Sequence, residues 1–121
     1  MVKPLYDTTI LIDFLVGREQ ARAEFSRHSE RAISVMTWME VTIGAGPQDD
    51  VATRLFHQSF AVIAIDEAIR EQAVQMRRAR KIKLPDAIIL ASAQAHGLTL
   101  VTRNTRDFSE GDPNVHVPYT I

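Results

Sequence analysis

Short apolar runs alternate with segments whose apolar residues recur at helical spacing, and this alternation organises the whole chain. Leu5-Tyr6 predicts a short strand ahead of Asp7, and residues 8–16 then carry a helical pattern that stops at Gly17. Pro4 has to stand at or before that strand's first residue, because a proline further in would remove a ladder donor. A charged helix is expected over residues 19–28, a second strand at Ala32-Ile33-Ser34-Val35, and a helix opening at Thr37 and running to the Gly44-Ala45-Gly46-Pro47 break. Residues 49–58 read as a short polar helix. The continuous run Phe60-Ala61-Val62-Ile63-Ala64-Ile65 suits a strand buried on both faces. Asp66 caps a helix extending to about Arg80, and another runs from Pro85 to His96-Gly97. Leu98-Thr99-Leu100-Val101 is the fourth strand, a turn or short helix follows from Asn104, and Val115-His116-Val117 is a candidate fifth.

Strands alternating with helices predict an α/β fold: a three-layer sandwich around a central, mainly parallel sheet of four to five strands. The 121 residues suffice for one domain, 1–121, with a core of its own. In such sheets ligands collect beyond the carboxyl ends of the strands, so residues just after a strand are the first to weigh for chemistry.

Composition narrows the chemistry. With 45% hydrophobic and 24% charged residues the chain belongs among folded soluble proteins. It has no cysteine, which removes disulfides, thiolate metal sites and cysteine nucleophiles and fits a reducing cytoplasm. The stretch Ile10-Leu11-Ile12-Asp13-Phe14-Leu15-Val16 contains an acid and is too short to span a bilayer, so no membrane role is expected. A net charge of −1 offers no global attraction to nucleic acid, and any such binding must come from a local patch.

Four acids stand where elements begin or end: Asp7, Glu40, Asp86 and Asp107. Each has an ordinary structural role open to it. Asp7 can cap a helix, with Thr8 and Thr9 as competitors. Glu40 can complete a capping box with Thr37, and Asp86 can complement a helix dipole. Asp107 can be a solvated loop acid or a turn-former beside Asn104. Together, carboxylates drawn from separate segments into one place would make a metal site. Asp13, six positions beyond Asp7, falls off that residue's helical face and is expected to be exposed or bonded locally.

Met36, Trp38 and Met39 read as core. His28, His57, His96 and His116 lack metal-ligand spacing, Ser92 lacks a nucleophile elbow, and no glycine-rich phosphate loop occurs. The run Arg77-Arg78-Ala79-Arg80-Lys81-Ile82-Lys83 either solvates a helix end or holds phosphates beside the acids, and Arg103 and Arg106 flank the fourth acidic segment in the same way.

Taken in order, Tyr6-Asp7-Thr8-Thr9-Ile10-Leu11-Ile12-Asp13, Ser34-Val35-Met36-Thr37-Trp38-Met39-Glu40-Val41, Leu84-Pro85-Asp86-Ala87-Ile88-Ile89-Leu90-Ala91 and Leu100-Val101-Thr102-Arg103-Asn104-Thr105-Arg106-Asp107-Phe108 resemble the PIN-domain family, VapC-like toxins above all. The resemblance covers nearly the whole chain. It implies a Mg²⁺- or Mn²⁺-dependent endoribonuclease, inhibited by a cognate antitoxin and homodimeric. Carried over by motif position, Asp7, Glu40 and Asp86 match the core acids, and Asp107 or Asn104 the fourth. Thr8, Thr9 and Thr102 match supporting hydroxyls. The segment 44–60 is short for the helical arm that many relatives use in dimer and antitoxin contacts. Two other readings compete: a catalytically silent PIN-like module binding RNA or a protein, and a phosphatase using Asp7 as nucleophile. The second lacks an acid at Thr9.

Overall fold

In a computed structural model that describes residues 3–121, strands β1 (Pro4–Tyr6), β2 (Ala32–Ser34), β3 (Ala61–Ile63), β4 (Thr99–Val101) and β5 (Val115–His116) form one sheet in the order β3-β2-β1-β4-β5. Every pairing is parallel. Helices α1 (Thr8–Leu15) and α2 (Glu19–Ser26) join β1 to β2; α3 (Val35–Ala45), a 3₁₀ turn (Pro47–Asp49) and α4 (Asp50–His57) join β2 to β3; α5 (Glu67–Ala79) and α6 (Leu84–Ala95) lead to β4. The chain thus moves outward from β1 to β3, then returns to β1's other side. The strand order reverses between β1 and β4, the switch point where parallel sheets open a crevice.

Side-chain alternation sets the layers. Leu5 and Leu100 belong to one buried cluster with Ile69, Ile89 and Leu90 of α5 and α6, whereas Tyr6 and Val101, one residue on, belong to the other with Ile10, Leu11 and Phe25 of α1 and α2. The second cluster is rich in aromatics, with the Tyr6 and Phe25 rings meeting edge to face at 4.8 Å between centroids. Pro4 is the first residue of β1, so its missing donor interrupts no ladder even at the sheet centre. Gly17 and Gly97 both have positive φ (88° and 64°) just beyond helix ends, as stops for α1 and α6 require.

Several expectations need correction. The run 60–65 is not buried on both faces. Among the described residues only Ala61–Ile63 pairs, β3 has β2 as its sole neighbour, and Val62 and Ile65 remain 43% and 39% exposed. Helix α3 opens at Val35, two residues early, because the Ser34 hydroxyl caps it by accepting from the Met36 amide at 3.1 Å. Met39 lies on the outer side of α3 and is exposed, while Met36 and Trp38 pack against the two cores.

Candidate metal centre

Asp7 sits where β1 becomes α1, with its amide donating to Val101 O at 2.9 Å across the switch point. It occupies the cap position of α1 but makes no side-chain capping bond. Its Oδ2 instead accepts hydroxyls from Thr102 (2.7 Å), just past β4, and from Thr9 (2.8 Å). The carboxylate is 3% exposed. Burial pushes its pKa up, and the Thr102 and Thr9 hydrogen bonds pull it back only in part.

With Ser34 capping α3, Thr37 is free of the capping box and so is Glu40. Thr37 is fully buried and 3.1 Å from the Thr8 hydroxyl, and Thr8 lies 2.7 Å from Glu40 Oε1. Thr8 has one proton to give. The shorter contact directs it to Glu40, so Thr37 donates to Thr8 and a hydroxyl relay fixes the glutamate. Sequence reasoning missed Thr37 in this role because its spacing to Glu40 matched a cap.

Asp86 lies in the first turn of α6, behind Pro85. Burial and the negative charges of Asp107, Asp7 and Glu40 raise its pKa to about 6, with Lys83 opposing them. All four predicted acids therefore act electrostatically on one point, although they come from four separate segments. Asp107 accepts from the Asn104 side-chain amide at 2.8 Å and its own amide donates back to Asn104 Oδ1 at 3.3 Å, so Asn104 both shapes the turn and aims the acid. Asn104 N donates in turn to Thr102 Oγ1 at 3.0 Å.

The convergence is at Coulomb range rather than coordination range. Among the described residues, no three Asp, Glu or His side chains are gathered into a finished ligand set. Charge repulsion acts over a longer distance than a metal–oxygen bond, so the two observations agree. Oxygen-only carboxylate donors at the end of a parallel sheet fit a hard divalent ion that keeps several of its own waters, which is the chemistry of Mg²⁺.

Two side chains behave differently from expectation. Asp13 is not exposed, and beyond a local pair with Arg18 Nε at 3.4 Å its main partners are distant. It is 1% exposed and accepts from Arg103 Nε (2.6 Å), Arg103 Nη2 (2.8 Å) and the Tyr119 hydroxyl (2.8 Å), residues far along the chain. Its position off Asp7's face is what points it at the chain's C-terminal part. Arg103 is accordingly paired with a carboxylate. Arg106, Lys83 and the run Arg77, Arg78, Arg80 and Lys81 are exposed, with Arg77 also donating to Ile82 O at 3.1 Å. His57, at the end of α4, is buried against Trp38 and within hydrogen-bond reach of Thr42; Ser92 is buried and donates to Ile88 O.

The family model described as PIN domain matches residues 5–112. The chain is 32% identical to Ribonuclease VapC4 of Mycobacterium tuberculosis (strain ATCC 25618 / H37Rv), over 84% of this chain and 86% of that one. Among solved structures, a toxin–antitoxin complex from Klebsiella pneumoniae contains a chain matching with TM-score 0.92 and 46% identity, covering 98% of this chain and 100% of its counterpart. DNA-bound VapBC from Salmonella typhimurium matches with TM-score 0.78 and 26% identity over 96% of each chain.

Proposed function

This chain belongs to the PIN-domain family, and from that premise we propose that it is a Mg²⁺- or Mn²⁺-dependent endoribonuclease acting as the toxin of a toxin–antitoxin pair. The observation that carries the reading is Asp86, held up to about 6 by burial and by Asp107, Asp7 and Glu40 together. Four acids without a matching set of cations favour an external divalent ion at the point they share. Asp7, Asp86, Glu40 and Asp107 would hold it. When bound, such an ion lowers the pKa of a water and neutralises charge on a phosphate.

The remaining work falls to the chain itself. Thr102 and Thr9 fix the rotamer of Asp7, Thr8 steadies Glu40, and Asn104 aims Asp107. Arg106 and Lys83, with Arg77, Arg78, Arg80 and Lys81, all exposed, would hold an RNA backbone through its phosphates. No side-chain nucleophile is needed.

An antitoxin segment is proposed for the groove of about 470 Å³ lined by Ile12, Leu15 and Val16 of α1 and Val41 of α3, with Glu40 on its wall. Support comes from the matched structures, whose names describe toxin–antitoxin complexes. An apolar segment seated there would cover one of the four acids, joining binding to inhibition. Homodimerisation, which the family resemblance implies, is read by sedimentation. Among the described residues no helix is long and apolar enough to cross a membrane; we propose action in the cytoplasm.

The decisive experiment is RNA cleavage with Mg²⁺ or Mn²⁺ by the native chain, Asp7→Asn and Asp86→Asn. Loss of a charged group that acts on the reacting centre is expected to cut the rate by at least about 100-fold in each variant. Unimpaired cutting by both variants would remove the proposed site. The open spacing of the acids favours the second reading, a silent binding module, and salt-sensitive RNA binding without cleavage by the native chain would select it.

A further inference from the structure

Asp13 and Arg103 make the most complete polar contact among the described residues, and no step proposed above uses them. Arg103 presents Nε and Nη2 to the two carboxylate oxygens of Asp13 at 2.6 and 2.8 Å, a fork that fixes orientation as well as distance. Tyr119 donates to the same Oδ2 at 2.8 Å, and Arg18 Nε lies 3.4 Å from Oδ1. What distinguishes the pair is its neighbours. The residue before Arg103 is Thr102, whose hydroxyl meets Asp7, and the residue after it is Asn104, which aims Asp107.

We propose that Asp13, Arg103 and Tyr119 form a clamp that positions residues 102–107 on α1 and so sets where Thr102 and Asp107 stand at the metal centre. The three are positioning residues, acting through Thr102 and Asn104. Asp7 stands at the cap position of the short helix that carries Asp13, so a fork on Asp13 references the loop to the element that follows Asp7. Residues 102–107 contain turns but no helix or strand; the hydrogen bonds of Asn104 to Thr102 and Asp107 shape the turn from within, and the fork ties that turn to α1. Tyr119 brings the C-terminal tail into the same contact, and its ring packs against the aromatic core. A lysine at 103 would keep the charge and lose the fork.

The proposal rests on the metal-centre reading, and its test separates the two. Native chain, Arg103→Lys, Asp13→Asn, Tyr119→Phe and the double variant Asp13→Asn/Arg103→Lys are compared with Asp86→Asn, folding being checked by circular dichroism. Mn²⁺ affinity is measured by electron paramagnetic resonance, and amide hydrogen exchange is followed at Asn104 and Asp107 without metal. We expect about a tenfold loss of Mn²⁺ affinity in Arg103→Lys and Asp13→Asn, of the size that groups supporting metal ligands produce. The double variant is expected to lose no more than the weaker single, because the two act as one unit. Tyr119→Phe, which removes one hydroxyl and keeps the ring, should lose about threefold and stay folded if the others do not. Exchange at Asn104 and Asp107 should quicken, and kcat should fall at saturating Mn²⁺ with KM for RNA unchanged.

Variants that bind Mn²⁺ and exchange like the native chain overturn the clamp. So does Arg103→Lys raising KM with Mn²⁺ affinity intact, which would make Arg103 a phosphate contact. If the native chain binds Mn²⁺ no better than Asp86→Asn, the metal-centre reading fails, and exchange alone decides. Quickened exchange then keeps the clamp, and unchanged exchange removes it.

Discussion

Two groups of carboxylates stand at opposite ends of the same helix, and the protein treats them in opposite ways. At the C-terminal end of α1, Asp13 is buried with its cations supplied: the Arg103 fork, Arg18 nearby and the Tyr119 hydroxyl. Burial alone would raise its pKa, but the hydrogen bonds from Arg103 and Tyr119 and the two guanidinium charges overcome it and hold the carboxyl below the ordinary value. At the N-terminal end, Asp7 is buried among neutral donors, the Thr102 and Thr9 hydroxyls and the backbone amides of Thr8 and Thr9, and Asp86 faces three more acids with Lys83 as the opposing cation. Both pKa values rise. A carboxylate given its countercharge is structural; carboxylates left without theirs are held ready for a cation from outside.

If that contrast holds, neutralising one acid in each group has opposite effects on the metal-free protein. Asp13→Asn leaves Arg103 facing a neutral amide and is expected to cost about 2–4 kcal/mol, toward the lower side of what breaking buried pairs costs, because Arg103 is 31% exposed. Asp86→Asn removes repulsion and should leave metal-free stability unchanged or higher. Urea unfolding of both variants in chelator reads the two signs. Equal destabilisation by both would mean that the second group is also internally compensated.

Divalent metal should act on one group alone. At ten times its dissociation constant, an ion that binds only the folded chain adds about 1.4 kcal/mol, roughly 3–6 °C in melting temperature for a domain of this size. Native protein should show the rise with Mg²⁺ or Mn²⁺, and Asp13→Asn should show a reduced one at the same metal concentration. Asp86→Asn should show almost none. A full shift in Asp86→Asn would place the ion elsewhere.

The two groups also differed in how legible they were. The fold was readable because its determinants are local. Strand alternation puts the neighbours Leu5 and Tyr6 on opposite faces, and Gly17 and Gly97 mark helix stops through positive φ. Among the acids, Asp7 was readable from its place after a strand and Asp86 from its place in the first turn of a helix, whereas Glu40 lies within α3 and Asp107 in the turn after β4, where no local signal singles them out. Asp13 was legible only as far as Arg18 nearby, because its hydrogen-bond partners lie 90 and 106 residues away and no local pattern encodes them. Thr37 was misread for the converse reason: a local pattern, the capping box, fitted it well, but Ser34 won the cap. The run 60–65 was placed in the interior because apolar continuity is the same for an edge strand as for a central one, and strand order is a property of the whole sheet.

The smallest effect expected is on pH dependence, and its sign follows from the shifts. Asp86 has a folded pKa of about 6 against an ordinary value of 3.8, so the folded chain binds the proton more tightly than the unfolded one. Its contribution therefore favours folding at acid pH, and is lost as pH rises from about 4 through about 6. Asp7 is raised as well and acts in the same direction. Asp13, held low, gives the reverse: its contribution is complete above its ordinary value of 3.8 and is lost only as pH falls through and below that value. In chelator, native protein should gain a few degrees relative to Asp86→Asn between pH 7.5 and pH 5 by differential scanning calorimetry. Saturating Mg²⁺ should erase the difference in slope at the upper end, because the ion then supplies the charge that the proton supplied. Parallel curves for the two proteins in chelator would show that Asp86 does not feel the other three acids, and the contrast between the two ends of α1 would reduce to burial alone.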